Sequence, residues 1–394
     1  MSWIVVFAAA PSLVVACIVA GILRWLAPRW GLVDRPGHRK VHANPTPYGG
    51  GLAIWAGIVL PLAAAQLVLW RWAETMRGNS QSPHWDGSAL GEWGRSVAAF
   101  VEPHLSGLAE QATDLWFLLA GGTVLMLLGL ADDARKLDWR FRLAVEALVA
   151  AAVVFGRGWK LTIFLDWPIL TDAISVLWIV GLVNTFNFLD NMDGLSAGVA
   201  AIAAALLGAV MLLTPEGASG QPQLFVAGLL FLLVGALIGF LVHNRPPARI
   251  FMGDAGSYFI GYLLAVTTIL ATFSGSGLPR HAILAPLCVL AVPLYDTFSV
   301  LWIRLRAGRS PFEGDTNHFS HRLVELGLTR TQAVLTIYLA TAACGLGALL
   351  LHEVDLFGAV IVLLAIACLL GVIAILETTA RRKMRPPETI ARDP

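Results

Sequence analysis

The chain is short of charge. Of its 394 residues only 13% are Asp, Glu, Lys or Arg, against 57% hydrophobic. A water-soluble domain carries about 25% charged and about 45–50% apolar residues, so a soluble globular protein is excluded. The charges that remain nearly cancel, to a net +1. There is no basic excess with which to grip nucleic acid, and none is expected as a partner. Cysteine is scarce too. Cys17, Cys288, Cys344 and Cys368 each lie in an apolar run, none at metal-ligand spacing, which makes them small packing residues. The first apolar run has no basic segment before it, no small-residue cleavage site after it, and is longer than a signal-peptide core. It reads as a retained span. The sequence shows no repeat of the whole unit and no soluble domain.

What the chain does have is long apolar runs. Eleven segments, approximately 3–26, 50–72, 113–131, 141–157, 171–188, 195–213, 223–242, 256–273, 282–303, 331–351 and 357–378, have the composition and length of membrane spans. In lipid the backbone must satisfy itself, which selects helices. The expected fold is therefore an all-α polytopic membrane protein, one domain over 1–394, with about eleven transmembrane helices. The longest connection, 73–112, is rich in Gly, Ser, Trp and Glu, and an amphipathic helix along the membrane surface is expected from Leu90 to Ala112. The link 158–170, around Leu161 to Pro168, alternates like a small hairpin.

Of the 27 Lys and Arg residues, 21 fall in connections after odd-numbered spans or in the tail 379–394, and 6 after even-numbered spans. Cytoplasmic connections carry the excess of positive charge. This places the C-terminus in the cytoplasm and the N-terminus and the 73–112 loop outside. The basic run Arg381-Arg382-Lys383-Met384-Arg385 then serves as a stop-transfer anchor.

One stretch organises the rest: Asn184-Thr-Phe-Asn187-Phe-Leu-Asp190-Asn191-Met-Asp193-Gly194-Leu195, set between two apolar runs. Polar residues at membrane depth are costly and normally serve a site or pathway. Turn and cap residues are the ordinary alternative, but a cap needs one such side chain, not five. Steps of three along a helix advance about 300° each. One straight helix therefore cannot aim them all at one point, and a break is expected near Asp190, with Gly194 at or after it.

The orientation collects every unusual polar segment on the cytoplasmic face. These are Asp34 to His42 with Pro45 to Gly50, Asp132-Asp133, Asn184 to Asp193, His243 to Arg245 with Phe251 to Ser257, and Asp315 to Arg322. The pooled acids are Asp132, Asp133, Asp190, Asp193 and Asp254. With carboxamides and no nearby Cys they suit Mg²⁺, with Mn²⁺ the alternative ion. Arg39, Lys40, His318, His321 and Arg322 suit phosphate oxygens. Acid, metal and base together describe phosphoryl transfer. Blander readings stand beside several of these. Asp132-Asp133 alone would serve as a solvated cap, Gly49-Gly50-Gly51 as a helix contact, and Phe251 as a packing ring instead of a stacking surface for a base.

In combination these motifs resemble the polyprenyl-phosphate N-acetylhexosamine-1-phosphate transferases of glycosyltransferase family 4. The matching patterns are K-x-H…P-x-P-x-G-G, D-D, N-x-x-N-x-x-D-x-x-D-G, F-M-G-D-x-G-S and H-x-x-H-R, from the first cytoplasmic loop to about Gln332. The resemblance implies transfer of a HexNAc 1-phosphate from a UDP-sugar to undecaprenyl or another polyprenyl phosphate, with Mg²⁺ and release of UMP. Such a step starts a lipid-linked cell-envelope glycan. It implies Asn187 and Asp254 as metal ligands, and Asp132 as the base, with Asp133 and Asp193 beside it. It implies Asp190, Asn244 and Phe251 near the uridine, Lys40 and His42 as further substrate contacts, and His318, His321 and Arg322 in a pyrophosphate loop. Two departures stand out. Asn191 replaces a Gly of the family pattern and Ser320 a His. The loop also lacks the P-x-H-H-H-x-E form of the phospho-MurNAc-pentapeptide branch, which favours a UDP-GlcNAc-type donor. That branch, and a membrane transporter with polar groups at mid-bilayer, are the alternatives. A homodimer is left open.

Overall fold

The computed structural model describes residues 2–34, 45–78, 105–161, 167–213, 215–216, 221–271, 279–312, 315 and 317–384. Helices α1 (Ser2–Leu26) and α2 (Gly50–Gly78) are joined near their meeting point by a two-residue ribbon, in which Val33–Asp34 (β1) pairs antiparallel with Thr46–Pro47 (β2). There follow α3 (Leu105–Arg135), α4 (Trp139–Ala151), α5 (Pro168–Leu189), α6 (Leu195–Leu213), α7 (Leu224–Asn244) and α8 (Gly253–Leu270). The chain ends with the short α9 (Ala285–Val289), then α10 (Ala291–Arg306), α11 (Phe319–Glu325), α12 (Arg330–Leu350) and α13 (Leu356–Met384).

Large apolar side chains cover the outside as well as the core: Val14, Ile18, Leu127, Leu148, Leu177, Phe298, Leu339 and Leu364 all face outward. In water that surface would aggregate; in lipid it is the required solvent contact. Close approach inside the bundle comes from small residues, as in other membrane bundles. Gly235 and Gly239 of α7 lie against the backbone of α1 at Ala9 and Leu13, leaving no room for a Cβ. Gly51 of α2 and Gly129 of α3 do the same against the first turn of α8. Those two contacts bring the ends of α2 and α3 to the start of α8, where the polar residues gather.

Eight helices among the described residues are long and apolar enough to cross a membrane, nine if the bent pair Arg280–Val289 and Ala291–Arg306, meeting at 66°, is one span. The expected eleven is not reached by that measure. The two short cases are α4, which ends at Ala151 and continues in a wide turn, Ala152–Gly156, and α8. The first turn of α8 is Gly253, Asp254, Ala255, Gly256 and Ser257, so site residues occupy what hydropathy would need to be apolar. The expected amphipathic helix 90–112 lies mostly outside the described residues; its end, from Leu105, is the start of α3. Of the expected hairpin, 162–166 lie outside the described residues, and Leu161 N–H donates to Ser175 Oγ of α5 at 2.9 Å.

Candidate active site

The first turn of α8 is the centre of the site. The first N–H groups of a helix have no partner within it and attract negative charge. Asp133, at the end of α3, supplies that charge. Its Oδ1 accepts from Asp254 N–H at 3.0 Å and its Oδ2 from Ala255 N–H at 3.3 Å. Asp190 accepts from Gly253 N–H. Burial, with Asp133 nearby, pushes the Asp190 carboxyl up to about 7.

Asp132, one residue earlier, is almost fully buried. Its Oδ1 accepts from Leu137 N–H at 2.6 Å, and its Oδ2 pairs with Arg142 of α4. The carboxyl groups of Asp132 and Asp254 are themselves in hydrogen-bond contact. Arg142 also donates to Tyr258 Oη at 3.2 Å and stands 3.7 Å from Asp254 Oδ2. From α5, Asn187 Nδ2 donates to Asp254 Oδ1 at 2.7 Å and to Ser257 Oγ at 3.2 Å. Two carboxyl groups this close repel unless a proton or a cation comes between them. The groups facing that point are carboxylate, carboxamide and hydroxyl, a hard donor set that fits Mg²⁺. Among the described residues no three His, Cys, Asp or Glu side chains are grouped to hold a metal ion. Mg²⁺ commonly takes only one or two carboxylates and completes its shell with water and phosphate.

The organising stretch breaks as expected. Helix α5 stops at Leu189, α6 starts at Leu195, and Gly194 has φ +75°. Asn184 remains in the helix, donating to Glu146 Oε2 of α4 at 2.5 Å and to Val180 O at 2.9 Å. Asp193 Oδ2 accepts from Ala248 N–H at 2.9 Å. Asn244 bridges two segments, with Oδ1 accepting from Gly194 N–H and Nδ2 donating to Ile250 O, both at 2.9 Å. Asp193 and Asn244 thus tie the 190–194 turn to the α7–α8 connection. Gly50 N–H donates to Phe251 O at 2.9 Å, and the Phe251 ring tilts against Tyr48 at 6.4 Å. Lys40 and His42 lie outside the described residues.

The loop after α10 is pinned by acids from below. Asp296 of α10 stands 3.1 Å from His318 Nδ1 through Oδ2, in hydrogen-bond contact, and its Oδ1 accepts from Phe319 N–H at 2.6 Å. Arg304 donates to Asp315 through Nε and Nη2, each at 3.2 Å. Although burial opposes it, the bonds from Arg304 and Asn317 hold Asp315 down to about 2. Arg322 is buried. Its Nη2 donates to Ser299 Oγ at 2.7 Å, its Nη1 to Asn317 O at 3.0 Å, and its Nε lies 3.0 Å from Glu377 Oε2. His321 is half-buried, and burial, with His318 beside it, holds its imidazole below the usual range. The two departures from the motif pattern meet: Ser320 Oγ donates to Asn191 Oδ1 at 2.5 Å.

The structure therefore brings together Asp132, Asp133, Asn187, Asp190 and Asp254 around the start of α8. It sets His318, His321 and Arg322 beside them through Ser320 and through the tilted contact of His318 with Phe188, 5.9 Å between ring centroids. Sequence reasoning missed Arg142, Glu146, Asp296 and Glu377. Each is an ionisable residue inside or at the end of an apolar run, the signal that marks a functional position in a membrane protein.

Comparison with known proteins gives the family. The model of glycosyl transferase family 4 matches residues 115–272, the part of the chain that holds Asp132 through Asp254. A probable undecaprenyl-phosphate N-acetylglucosaminyl 1-phosphate transferase of Bacillus subtilis is 28% identical over 385 residues, covering 95% of this chain and 92% of its own. A decaprenyl-phosphate N-acetylglucosaminephosphotransferase of Mycobacterium tuberculosis is 32% identical over 360 residues, covering 85% and 79%. An undecaprenyl-phosphate alpha-N-acetylglucosaminyl 1-phosphate transferase of Escherichia coli is 27% identical over 331 residues, covering 81% and 76%. The chain belongs to glycosyl transferase family 4, an integral membrane enzyme as its apolar helices require.

Proposed function

We propose that this protein transfers N-acetylglucosamine 1-phosphate from its UDP-sugar to a polyprenyl phosphate and releases UMP. The observation that carries the reading is the meeting of Asp132, Asp254 and Asn187 at one end of the bundle, within the segment that matches the family. A transporter would instead gather polar groups near mid-bilayer. Relatives named for N-acetylglucosamine 1-phosphate transfer favour that donor over a phospho-MurNAc-pentapeptide.

Asp254 and Asn187 would hold Mg²⁺. Bound there, the ion supplies neutralisation of the donor's pyrophosphate charge. The remaining work belongs to the chain. Arg142 keeps the Asp132 carboxylate aimed at the site and stands near Asp254. Asp133 fixes the start of α8, and so the position of Asp254. A phosphate monoester has its second pKa near 6, so the lipid phosphate arrives mostly as the dianion, and Asp132 takes any proton that remains. Phe251, tilted on Tyr48, offers a face to the uracil, and Asp190 and Asn244 set the turn beside it. His321 donates a hydrogen bond to the pyrophosphate, while His318 and Arg322 shape the loop that carries it. Lys40 and His42 would be further substrate contacts.

The site would face the cytoplasm, with the C-terminus on the same side, a placement the distribution of Lys and Arg supports, in the bacterial cytoplasmic membrane that bacterial relatives suggest. A reporter fused after Pro394 is expected to read cytoplasm and one near Gly87 the outside; both on one side would contradict it. The activity is tested on purified protein with undecaprenyl or decaprenyl phosphate and a panel of UDP-sugars, following UMP. UDP-GlcNAc is expected to be the preferred donor. No lipid-dependent UMP from any UDP-HexNAc would overturn the reading.

A further inference from the structure

The last helix, α13, is attached to the bundle in an unusual way. Along its length large apolar residues such as Leu364, Val372, Ile375 and Leu376 face outward. Among its described residues the two that are fully enclosed are Ala359 and Glu377. A carboxylate enclosed at the end of a membrane helix is costly unless it is paired. Glu377 has two partners. Its Oε2 accepts from Tyr295 Oη at 3.0 Å and lies 3.0 Å from Arg322 Nε. The Arg322 guanidinium stands 6.0 Å over the Tyr295 ring, and the same ring meets Phe319 edge to face at 5.8 Å. Arg322 is only 3% exposed. Its nitrogens face Glu377, Ser299 Oγ and Asn317 O, so the guanidinium is aimed into the bundle, away from any substrate.

We propose that Glu377 is a positioning residue: through Arg322 and Tyr295 it fixes the 317–322 loop, so that the final helix sets the geometry of the active site. Arg322 has three kinds of partner, and Glu377 alone carries a compensating charge. Without it the guanidinium is a buried cation with two neutral acceptors. It will turn to find water, and Asn317, whose carbonyl it holds, moves with it. His318 stays tied to Asp296 on one side, so the displacement falls on His321 and Ser320. This proposal rests on the reading of the loop as the one that meets the donor pyrophosphate.

The test uses the full-length protein in lipid nanodiscs, with UDP-GlcNAc and undecaprenyl phosphate. Glu377→Ala is expected to lower kcat about 10²-fold, the effect of a roughly 1 Å misplacement of a catalytic group, with little change in KM for either substrate. Combined with Arg322→Ala it is expected to be no worse than Arg322→Ala alone. Amide hydrogen exchange is expected to rise over residues 317–326 and to stay unchanged in α5, α7 and α8. Should Glu377→Ala fail to fold, Glu377→Gln carries the same measurements with smaller changes of the same sign, because it keeps the shape and an acceptor oxygen but not the charge. Wild-type turnover in these variants, additive losses in the double variant, or exchange that rises equally across the bundle would each overturn the proposal. If the wild-type protein itself gives no UMP, the activity reading has failed, and the exchange at 317–326 still decides whether Glu377 holds the loop.

Discussion

The two halves of the site solve opposite electrostatic problems. At the start of α8, like charges face each other: Asp132, Asp133, Asp190 and Asp254 converge with one arginine, Arg142, among them. Around the loop after α10, among the described residues, three acids meet bases: Asp296 with His318, Asp315 with Arg304 and Glu377 with Arg322. The first half concentrates negative charge and would favour a cation. In the second the paired side chains hold one another, and what they fix is the shape of the loop. A site that held free arginines on both sides would bind pyrophosphate tightly in the ground state, which does not by itself raise turnover. On the proposed function, charge stabilisation would fall to the acid cluster and alignment to the loop.

The strongest way to break that assignment is Asp254→Asn. It removes a charge from the half that needs a cation, and a lost charge-stabilising group commonly costs about 10²–10³ in rate. Turnover is expected to fall by that order, at all Mg²⁺ concentrations tried, while the protein extracts as a folded bundle. Asn187→Ala is expected to follow it, since Asn187 shares the same oxygen of Asp254. Near wild-type turnover by Asp254→Asn would move charge stabilisation elsewhere.

Arg142→Gln comes next. Hydrogen bonds to charged groups contribute roughly 1.5–3 kcal/mol, so a loss of about 10- to 100-fold in kcat is expected, smaller than for Asp254→Asn. The pH at which activity is half-maximal should shift as well, because Asp132 loses its cation. An unchanged pH profile would make Arg142 a packing residue.

How much of this the sequence discloses depends on what each residue sits among. The break at Asp190 to Gly194 is legible because five carboxylates and carboxamides lie between two apolar runs, too many for one helix end. Arg142 is not, because it falls where positive charge already counts toward orientation, and its i+4 neighbour Glu146 is enclosed in an apolar helix. Asp296 and Glu377 were passed over as single acids inside runs whose average hydropathy remains high. The count of spans by hydropathy differs from the expected eleven for a related reason: the first turn of α8 is polar. Asn191 and Ser320 read as two separate departures from a motif, and only the fold shows that they are one contact. The direction of Arg322, inward to Glu377, needs the packing of α13, which no local pattern contains.

A third measurement sharpens the boundary between the halves. Phe251 tilts against the Tyr48 ring, and its backbone pairs with Pro47 and Gly50. Phe251→Ala is expected to raise KM for the UDP-sugar several-fold, as the loss of about 1–3 kcal/mol of stacking on a base predicts, and to leave KM for the lipid phosphate nearly unchanged. Equal increases for both substrates would mark Phe251 as a packing ring.

The smallest expected effect is none at all, and it concerns the order of bond making. Two routes compete. In one, a carboxylate attacks the donor's sugar-bearing phosphate, expels UMP and passes the phosphosugar to the lipid. In the other, the lipid phosphate attacks directly. Both adjacent acids are already engaged. Asp133 caps the start of α8 with its two oxygens, and Asp132 holds Leu137 N–H and Arg142. A carboxylate nucleophile would have to leave those donors and loosen the turn that places Asp254. The lipid phosphate needs no such activation, being mostly dianionic at neutral pH with a second pKa near 6. What it needs is to be held in line, and proximity of that kind supplies up to about 7–11 kcal/mol. Direct displacement therefore follows, and labelled UMP is expected not to exchange into the UDP-sugar when lipid phosphate is rigorously absent, because UMP leaves only as the lipid attacks. Exchange at a rate comparable to turnover, abolished by Asp132→Asn, would establish the covalent route and make Asp132 its nucleophile.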